Sequence, residues 1–166
     1  MISLHVLDVK KCMANMLTGD EFDDFCLCEA NIVTGISYVI DGRIVDDFYS
    51  EQERIDEGLE QEFIPYKKVK NNCFDIIKGK RTPSGFRFIF LAGKELQDSL
   101  LKELDESERS AISNLTMNVI FGKSGLSITT SVTKNIFSMN KYAEEMWDKW
   151  VMDFFADMNI ASENML

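Results

Sequence analysis

The residue types that are scarce in this sequence exclude several kinds of functional site. Among 166 residues it contains one histidine, two prolines and four cysteines, and no two cysteines form a Cys-x-x-Cys pair. Zinc sites draw on such pairs or on closely spaced histidines, so we expect no bound metal and no cofactor. The cysteines are instead predicted to be buried free thiols that pack as small apolar side chains. They are Cys12, Cys26, Cys28 and Cys73.

Long apolar segments are also missing. The longest uninterrupted run is Phe88 to Ala92, far shorter than a membrane-spanning helix requires. The first twelve residues lack the charged start and apolar block of a secretory signal. We therefore expect a cytoplasmic protein that makes no contact with a membrane.

The motifs of common catalytic sites are absent. His5, the one histidine, lies on the polar side of a predicted strand, and no Gly-x-Ser-x-Gly motif accompanies it. The Gly79-Lys80 and Gly122-Lys123 pairs lack the spacing of a phosphate-binding loop. The second pair lies between two predicted strands, where a hairpin turn is expected. We predict no catalytic residue.

Acidic residues occur in two local groups, Asp20 to Asp24 and Asp46-Asp47. Neither has the spacing of a calcium-binding loop. Acid–base catalysis needs two carboxylates in different environments, which only a structure reveals. Solvated turns are the favoured interpretation, and an acidic catalytic cleft stays as the alternative.

Periodicity predicts strands next to helices, and hence an α+β fold in which an antiparallel sheet carries helices on one face. Asp41-Gly42 is predicted to turn a hairpin. The predicted strands are 2–7, 25–34, 36–40, 43–49, 86–91, 115–121, 126–132 and 136–139. The predicted helices cover 9–17, 50–61, 65–77, a stretch after Gly93 up to 104, 106–112 and 140–158.

The C-terminal helix has the clearest pattern. Its apolar residues fall on one stripe of a 3.6-residue period, and this stripe includes both tryptophans, Trp147 and Trp150. The pattern predicts that the stripe packs on the antiparallel sheet. If both tryptophans were exposed, the helix would instead be a surface for dimerisation or for a protein partner.

The predicted element order occurs twice. Residues 2–49 and residues 86–139 both appear as strand, helix, strand, strand, strand. We predict one domain, 1–166, that contains an internal pseudo-repeat of this β-α-β-β-β unit. Such paired units resemble the layout of sliding-clamp domains, a likeness of architecture that does not extend to function.

The best candidate for a functional site is a basic segment. Between Lys67 and Arg87 there are seven basic residues and one acid, Asp75, although the whole chain has a net charge of −10. Such asymmetry is typical of an anion-binding surface. The alternative is that these cations pair with the protein's own acids. The candidate anion-binding residues are Lys67, Lys68, Lys78, Lys80, Arg81 and Arg87.

Several pieces of the sequence resemble an uncharacterised bacterial protein family, a domain of unknown function. They are FDDFCLCEANIVTG, the Ile40-Asp41-Gly42 segment, Cys73 with IIKGKRTP, and the final helix with Trp147. The resemblance covers nearly the whole chain, and it implies no activity, substrate or catalytic residue.

These observations predict a non-enzymatic binding module that contacts an anionic ligand or an acidic protein partner through residues 67–87. Nucleic acid is a less favoured ligand, because the acidic remainder of the chain repels phosphates. An enzyme with an acidic cleft and an assembly protein that dimerises through the aromatic helix remain as alternatives.

Overall fold

The computed structural model describes all residues, 1–166. Six helices and an eight-stranded antiparallel sheet confirm the predicted α+β class. Two short 3-10 turns lie at Asp46–Phe48 and Tyr66–Lys68. The strands are β1 Ser3–Val6, β2 Phe25–Val33, β3 Ser37–Asp41, β4 Ile64–Pro65, β5 Gly85–Ala92, β6 Ile112–Gly122, β7 Gly125–Lys134 and β8 Ser162–Asn164. The helices are α1 Val9–Leu17, α2 Glu51–Asp56, α3 Lys70–Ile77, α4 Lys94–Leu100, α5 Glu106–Ser110 and α6 Tyr142–Asp157.

The strands follow the order β3-β2-β5-β6-β7-β1-β8, and β4 pairs with β2 beside the end of β3. Alternate residues of each strand point to one face, as in β5, where Phe86, Phe88 and Phe90 are all buried. In β2 an irregularity at Cys28 shifts the register, so that Leu27 and Ala30 are both fully buried. The helices cover this one face, and the buried side chains form one continuous cluster.

The C-terminal helix packs as its periodicity predicts. Trp147 is fully buried and Trp150 is half-buried, with their rings stacked at 5.4 Å. Phe25 of β2 meets the helix edge-on, with ring centroids 5.8 Å from Trp150 and 5.5 Å from Phe154. The aromatic stripe that dimerisation through this helix would use is therefore engaged with the chain's own sheet.

The predicted strand at 43–49 is wrong, and so is the hairpin at Asp41-Gly42. The hairpin turn lies earlier, between β2 and β3, where the Thr34 N–H donates to the Ile36 carbonyl. The Gly42 N–H still donates to the Cys28 carbonyl of β2, and beyond Gly42 the chain turns away from β2, where the Ile44 N–H donates to the Glu62 carbonyl. Only glycine fits at position 42, because the main chain there approaches β2 so closely that a Cβ would lie 1.8 Å from the Leu27 carbonyl oxygen.

The predicted strand at 136–139 is also wrong. These residues have no strand partner, and Phe137 and Met139 are 90% and 82% exposed. The pseudo-repeat is therefore not confirmed, because both segments lack the last of the four strands in the predicted β-α-β-β-β unit. Their pairing differs too, since β1 lies between β7 and β8 while β5 lies between β2 and β6. Strand β8, which pairs with β1, was not predicted, because its three residues show no strand pattern in the sequence.

Candidate functional site

Helix α3 divides the six predicted anion-binding residues into two groups. Lys67 and Lys68 lie in the 3-10 turn before the helix, next to β4, which pairs with β2 at Cys26. Lys78 caps the other end of the helix. Eight residues of helix span about 12 Å. The contiguous basic segment of the sequence is thus two separate clusters at opposite ends of the sheet.

The second group is held by the loop between α3 and β5. Lys78, Lys80 and Arg81 are exposed on this loop, and Arg87 is exposed on β5. The loop is anchored where the Ser84 N–H donates to the Val33 carbonyl at 2.9 Å, and where Pro83 is buried. The Ser84 hydrogen bond fixes the loop to the end of β2.

Sheet register adds Lys123, a cation that the sequence interpretation assigned only to a hairpin turn. The β6–β7 turn lies beside the start of β5, because Phe86 pairs with Phe121 and Gly122 pairs with Gly125. Lys123 is exposed in that turn. No linear pattern finds it, since it lies 36 positions after Arg87 and only the register brings them to one end. We call this set the basic end: Lys78, Lys80, Arg81, Arg87 and Lys123.

The protein's own acids neutralise little of this charge. Lys78 pairs with Asp75 at 2.9 Å, an exposed contact of small energetic weight. Lys80, Arg81, Arg87 and Lys123 form no salt bridge. Lys70 is the member of the basic segment that does pair with the acidic turn: its Nζ lies 2.9 Å from Asp23 and 2.6 Å from the Gly19 carbonyl oxygen.

Arg87 connects the basic end to the sheet face that the helices leave uncovered. Its cross-strand neighbours are Asn31 and Ile120, both partly or largely exposed. Ser127 and His5 continue the same row across β7 and β1. The Asn31 amide already donates to the Glu29 carboxylate, so the free polar groups of this row are the Ser127 hydroxyl and the His5 imidazole, both of which can donate to an anion.

His5 takes part in no catalytic hydrogen-bond arrangement. Its ring packs over Gly125, where an added Cβ would lie 3.1 Å from the His5 Cε1 atom. Of the side-chain hydrogen bonds in the structure, none involves the imidazole. A serine or cysteine nucleophile would need that nitrogen within hydrogen-bond reach.

The four cysteines are free. Burial, with a smaller effect of Asp8, raises the pKa of Cys12 to about 12, and burial raises the pKa of Cys26 and of Cys73 to about 11. Burial also raises the pKa of Cys28, helped by the nearby carboxylate of Glu29. All four are therefore protonated thiols at neutral pH, the less nucleophilic form. No group of three or more potential ligands could hold a metal ion.

The largest cavity, about 560 Å³, lies at the end of the sheet opposite to the basic end. Two lysines, Lys67 and Lys94, lie among its acids, and Lys67 belongs to the first group of predicted cations. One of the acids, Asp23, is the partner of Lys70. The carboxylates that line it are Asp23, Asp24, Glu57, Glu60 and Glu95.

None of the six helices combines the length and the apolar character needed to cross a membrane. No curated protein and no solved structure matches the chain. A family model described as "Family of unknown function (DUF5721)" matches residues 15–163, from within α1 to within β8. The chain therefore belongs to this family of unknown function.

Proposed function

We propose that the protein is a non-enzymatic binding module that contacts an anionic ligand or an acidic protein partner through the basic end. The observation that carries the proposal is the set of four exposed cations without a carboxylate partner at one end of the sheet, Lys80, Arg81, Arg87 and Lys123. Like charges gathered without counter-charges repel one another, and a bound anion relieves that repulsion.

The electrostatics also favour some anions over others. Because the net charge of the chain is −10, an extended polyanion that reaches beyond the basic end meets a repelling surface. A compact anion, or a short acidic segment of a protein, avoids this cost. Nucleic acid is accordingly the less favoured ligand. The four free cysteines agree with a reducing compartment, and we propose the cytoplasm as the location.

The test measures binding of a labelled hexaglutamate peptide and of a labelled single-stranded oligonucleotide at low and high salt. Four proteins are compared: the wild type, the triple variant Lys80→Ala/Arg81→Ala/Arg87→Ala, the double variant Lys67→Ala/Lys68→Ala, and a control variant. The control, Lys94→Ala/Lys102→Ala/Lys149→Ala, removes the same charge from exposed cations elsewhere. We expect the peptide to bind in a salt-sensitive way and the triple variant alone to lose at least tenfold in affinity.

Equal losses in the triple variant and in the control would show that net charge alone drives binding, and would overturn the proposal. A loss in Lys67→Ala/Lys68→Ala as large as in the triple variant would show that both ends take part. The absence of binding of either probe to the folded wild type at low salt would remove the basic end as an anion site.

A second candidate function rests on the acidic cavity at the other end. Five carboxylates and two lysines line this cavity, so the acidic cleft of the enzyme alternative would have to lie here. Glu57→Gln/Glu60→Gln/Glu95→Gln removes three of the charges and leaves the Asp23–Lys70 pair intact. If the cleft binds a ligand, a cationic probe such as spermidine stabilises the wild type against heat and does not stabilise this variant. Equal shifts for both proteins would exclude the cleft as a cation-binding site.

A further inference from the structure

The edge strand β3 has no neighbour along its outer side. It pairs only with β2, while β4 continues along β2 beyond it. Its sequence, Ser37-Tyr-Val-Ile-Asp41, contains no proline and no lysine, the residues that commonly protect an open edge. Val39 is 69% exposed at its centre. The edge is therefore open to a further strand.

An apolar groove lies against this edge. Its volume is about 230 Å³, and it extends from Ile40 and Asp41 of the strand to the segment that follows Gly42. Val45 and Phe48 in this groove are 68% and 76% exposed. Seven of the ten lining residues are apolar: Ile40, Ile44, Val45, Phe48, Tyr49, Ile64 and Val69. Exposed large apolar side chains grouped beside an open edge mark an interaction surface.

The surrounding charge is strongly acidic. Residues 37–57 contain seven acids and two arginines. Both arginines are already paired within the chain, Arg43 with Glu62 and Arg54 with Asp46. The acids are Asp41, Asp46, Asp47, Glu51, Glu53, Asp56 and Glu57. The nearest remaining cations in the sequence are Lys67 and Lys68, both exposed, and Lys68 is next to Val69 of the groove.

We propose that the β3 edge and its groove bind an extended segment of a different protein, one in which apolar residues alternate and lysine or arginine flanks them. Main-chain hydrogen bonds to β3 would hold the added strand, and every second side chain would enter the groove. A second copy of this chain is the disfavoured occupant, because pairing β3 with β3 would bring two acidic surfaces together. The proposed surface is independent of the basic end, since it attracts ligands of the opposite charge.

The test uses a labelled nine-residue peptide with alternating valine and threonine between terminal lysine pairs. A second peptide replaces its lysines with glutamate, and a third has proline at its centre, which removes a main-chain donor. The protein variants are Phe48→Ser in the groove and Val39→Lys on the edge. Phe137→Ser is the matched control, because Phe137 is 90% exposed outside the groove. Circular dichroism and thermal unfolding verify the fold of each variant.

We expect the lysine-flanked peptide to bind the wild type and the control alike. Affinity is expected to fall at least tenfold in Phe48→Ser and in Val39→Lys, and with the glutamate and proline peptides. Three results would overturn the proposal: no binding by the folded wild type at millimolar peptide, equal binding by all variants, or a wild-type dimer in sedimentation that Phe48→Ser dissociates. The last result would make a second copy the occupant.

Discussion

The indole nitrogen of Trp147 donates a hydrogen bond of 2.9 Å to the main-chain carbonyl of Thr116. Thr116 lies in β6, the strand between β5 and β7. This bond joins the C-terminal helix to the interior of the sheet from a side chain that is itself fully buried. The helix is thus fixed by a directional contact as well as by its apolar stripe.

We predict that Trp147→Phe lowers the free energy of unfolding by about 2–3 kcal/mol, because the carbonyl of Thr116 loses its donor and the ring loses buried area. Trp150→Phe, at a half-buried ring without a hydrogen bond, is expected to cost less than about 1.5 kcal/mol. Urea denaturation followed by circular dichroism measures both. Equal costs would mean that the hydrogen bond contributes nothing measurable.

A second prediction concerns Gly42. Its missing side chain leaves room for the Leu27 carbonyl oxygen, which would lie 1.8 Å from a Cβ atom. The obstructing atom belongs to main chain inside β2 and cannot rotate away, so we expect Gly42→Ala to cost more than about 2 kcal/mol. Gly35→Ala is the control, since nothing lies within 4 Å of a Cβ there. A thermal unfolding midpoint for Gly42→Ala close to that of Gly35→Ala would contradict the close approach.

The raised thiol pKa values predict a loss of stability at high pH. Burial keeps Cys12, Cys26 and Cys73 protonated in the folded protein up to a pKa of about 11 or 12, whereas an unfolded thiol ionises near 9. Above pH 9 the folded state therefore binds more protons than the unfolded chain. The contribution of these thiols to the free energy of unfolding is complete below pH 9 and is lost as pH rises through their folded pKa values of about 11 to 12.

Chemical denaturation at a series of pH values measures this loss. Cys73→Val, which cannot ionise, is expected to show a shallower decline than the wild type. At pH 8, iodoacetamide should label the half-buried Cys28 first and reach the other three only on unfolding. Rapid labelling of Cys12 in the folded protein would refute its burial.

The lowered pKa of Glu144 predicts that the protein loses stability at low pH. Burial by itself raises the pKa of this carboxyl, but the hydrogen bond from Lys134 at 2.7 Å, its own backbone N–H and the charge of Lys141 outweigh burial and lower the pKa below 4.5. The folded state thus binds the proton less readily than the unfolded chain. The contribution of Glu144 to the free energy of unfolding is complete above pH 4.5 and is lost as pH falls through the lower pKa of the folded state.

Glu144→Gln is expected to lower the free energy of unfolding by about 1–2 kcal/mol at pH 7, where the wild-type carboxylate is charged. The difference should shrink below about pH 4, because acid also neutralises the wild type. Glu145→Gln, at an exposed neighbour, is the control. A pH-independent difference between Glu144→Gln and the wild type would show that packing rather than charge is responsible.

The local sequence was sufficient to predict elements whose own residues carry a complete periodic pattern. The stripe with Trp147 and Val151 repeats at the helical period, and Phe86, Phe88 and Phe90 alternate along a strand, so burial on one side follows from geometry alone. The α+β class was predictable for the same reason. The burial of Cys12, Cys26 and Cys73 was also predicted, but Cys28, which was predicted to be buried with them, is half-buried. The family match agrees with the resemblance of the quoted segments.

Tertiary structure decided what depends on residues distant in the chain. Asp41-Gly42 has the composition of a hairpin turn, yet the carbonyl of Leu27 selects glycine there and the following chain leaves the sheet. The candidate anion site was predictable as a charged segment but not as a site. A rigid helix separates Lys67 from Lys78, whereas strand register brings Lys123 to the end that holds Lys80. Charge is a property of the sequence, but convergence of charges is a matter of distance, which only the packing of helices and strands sets.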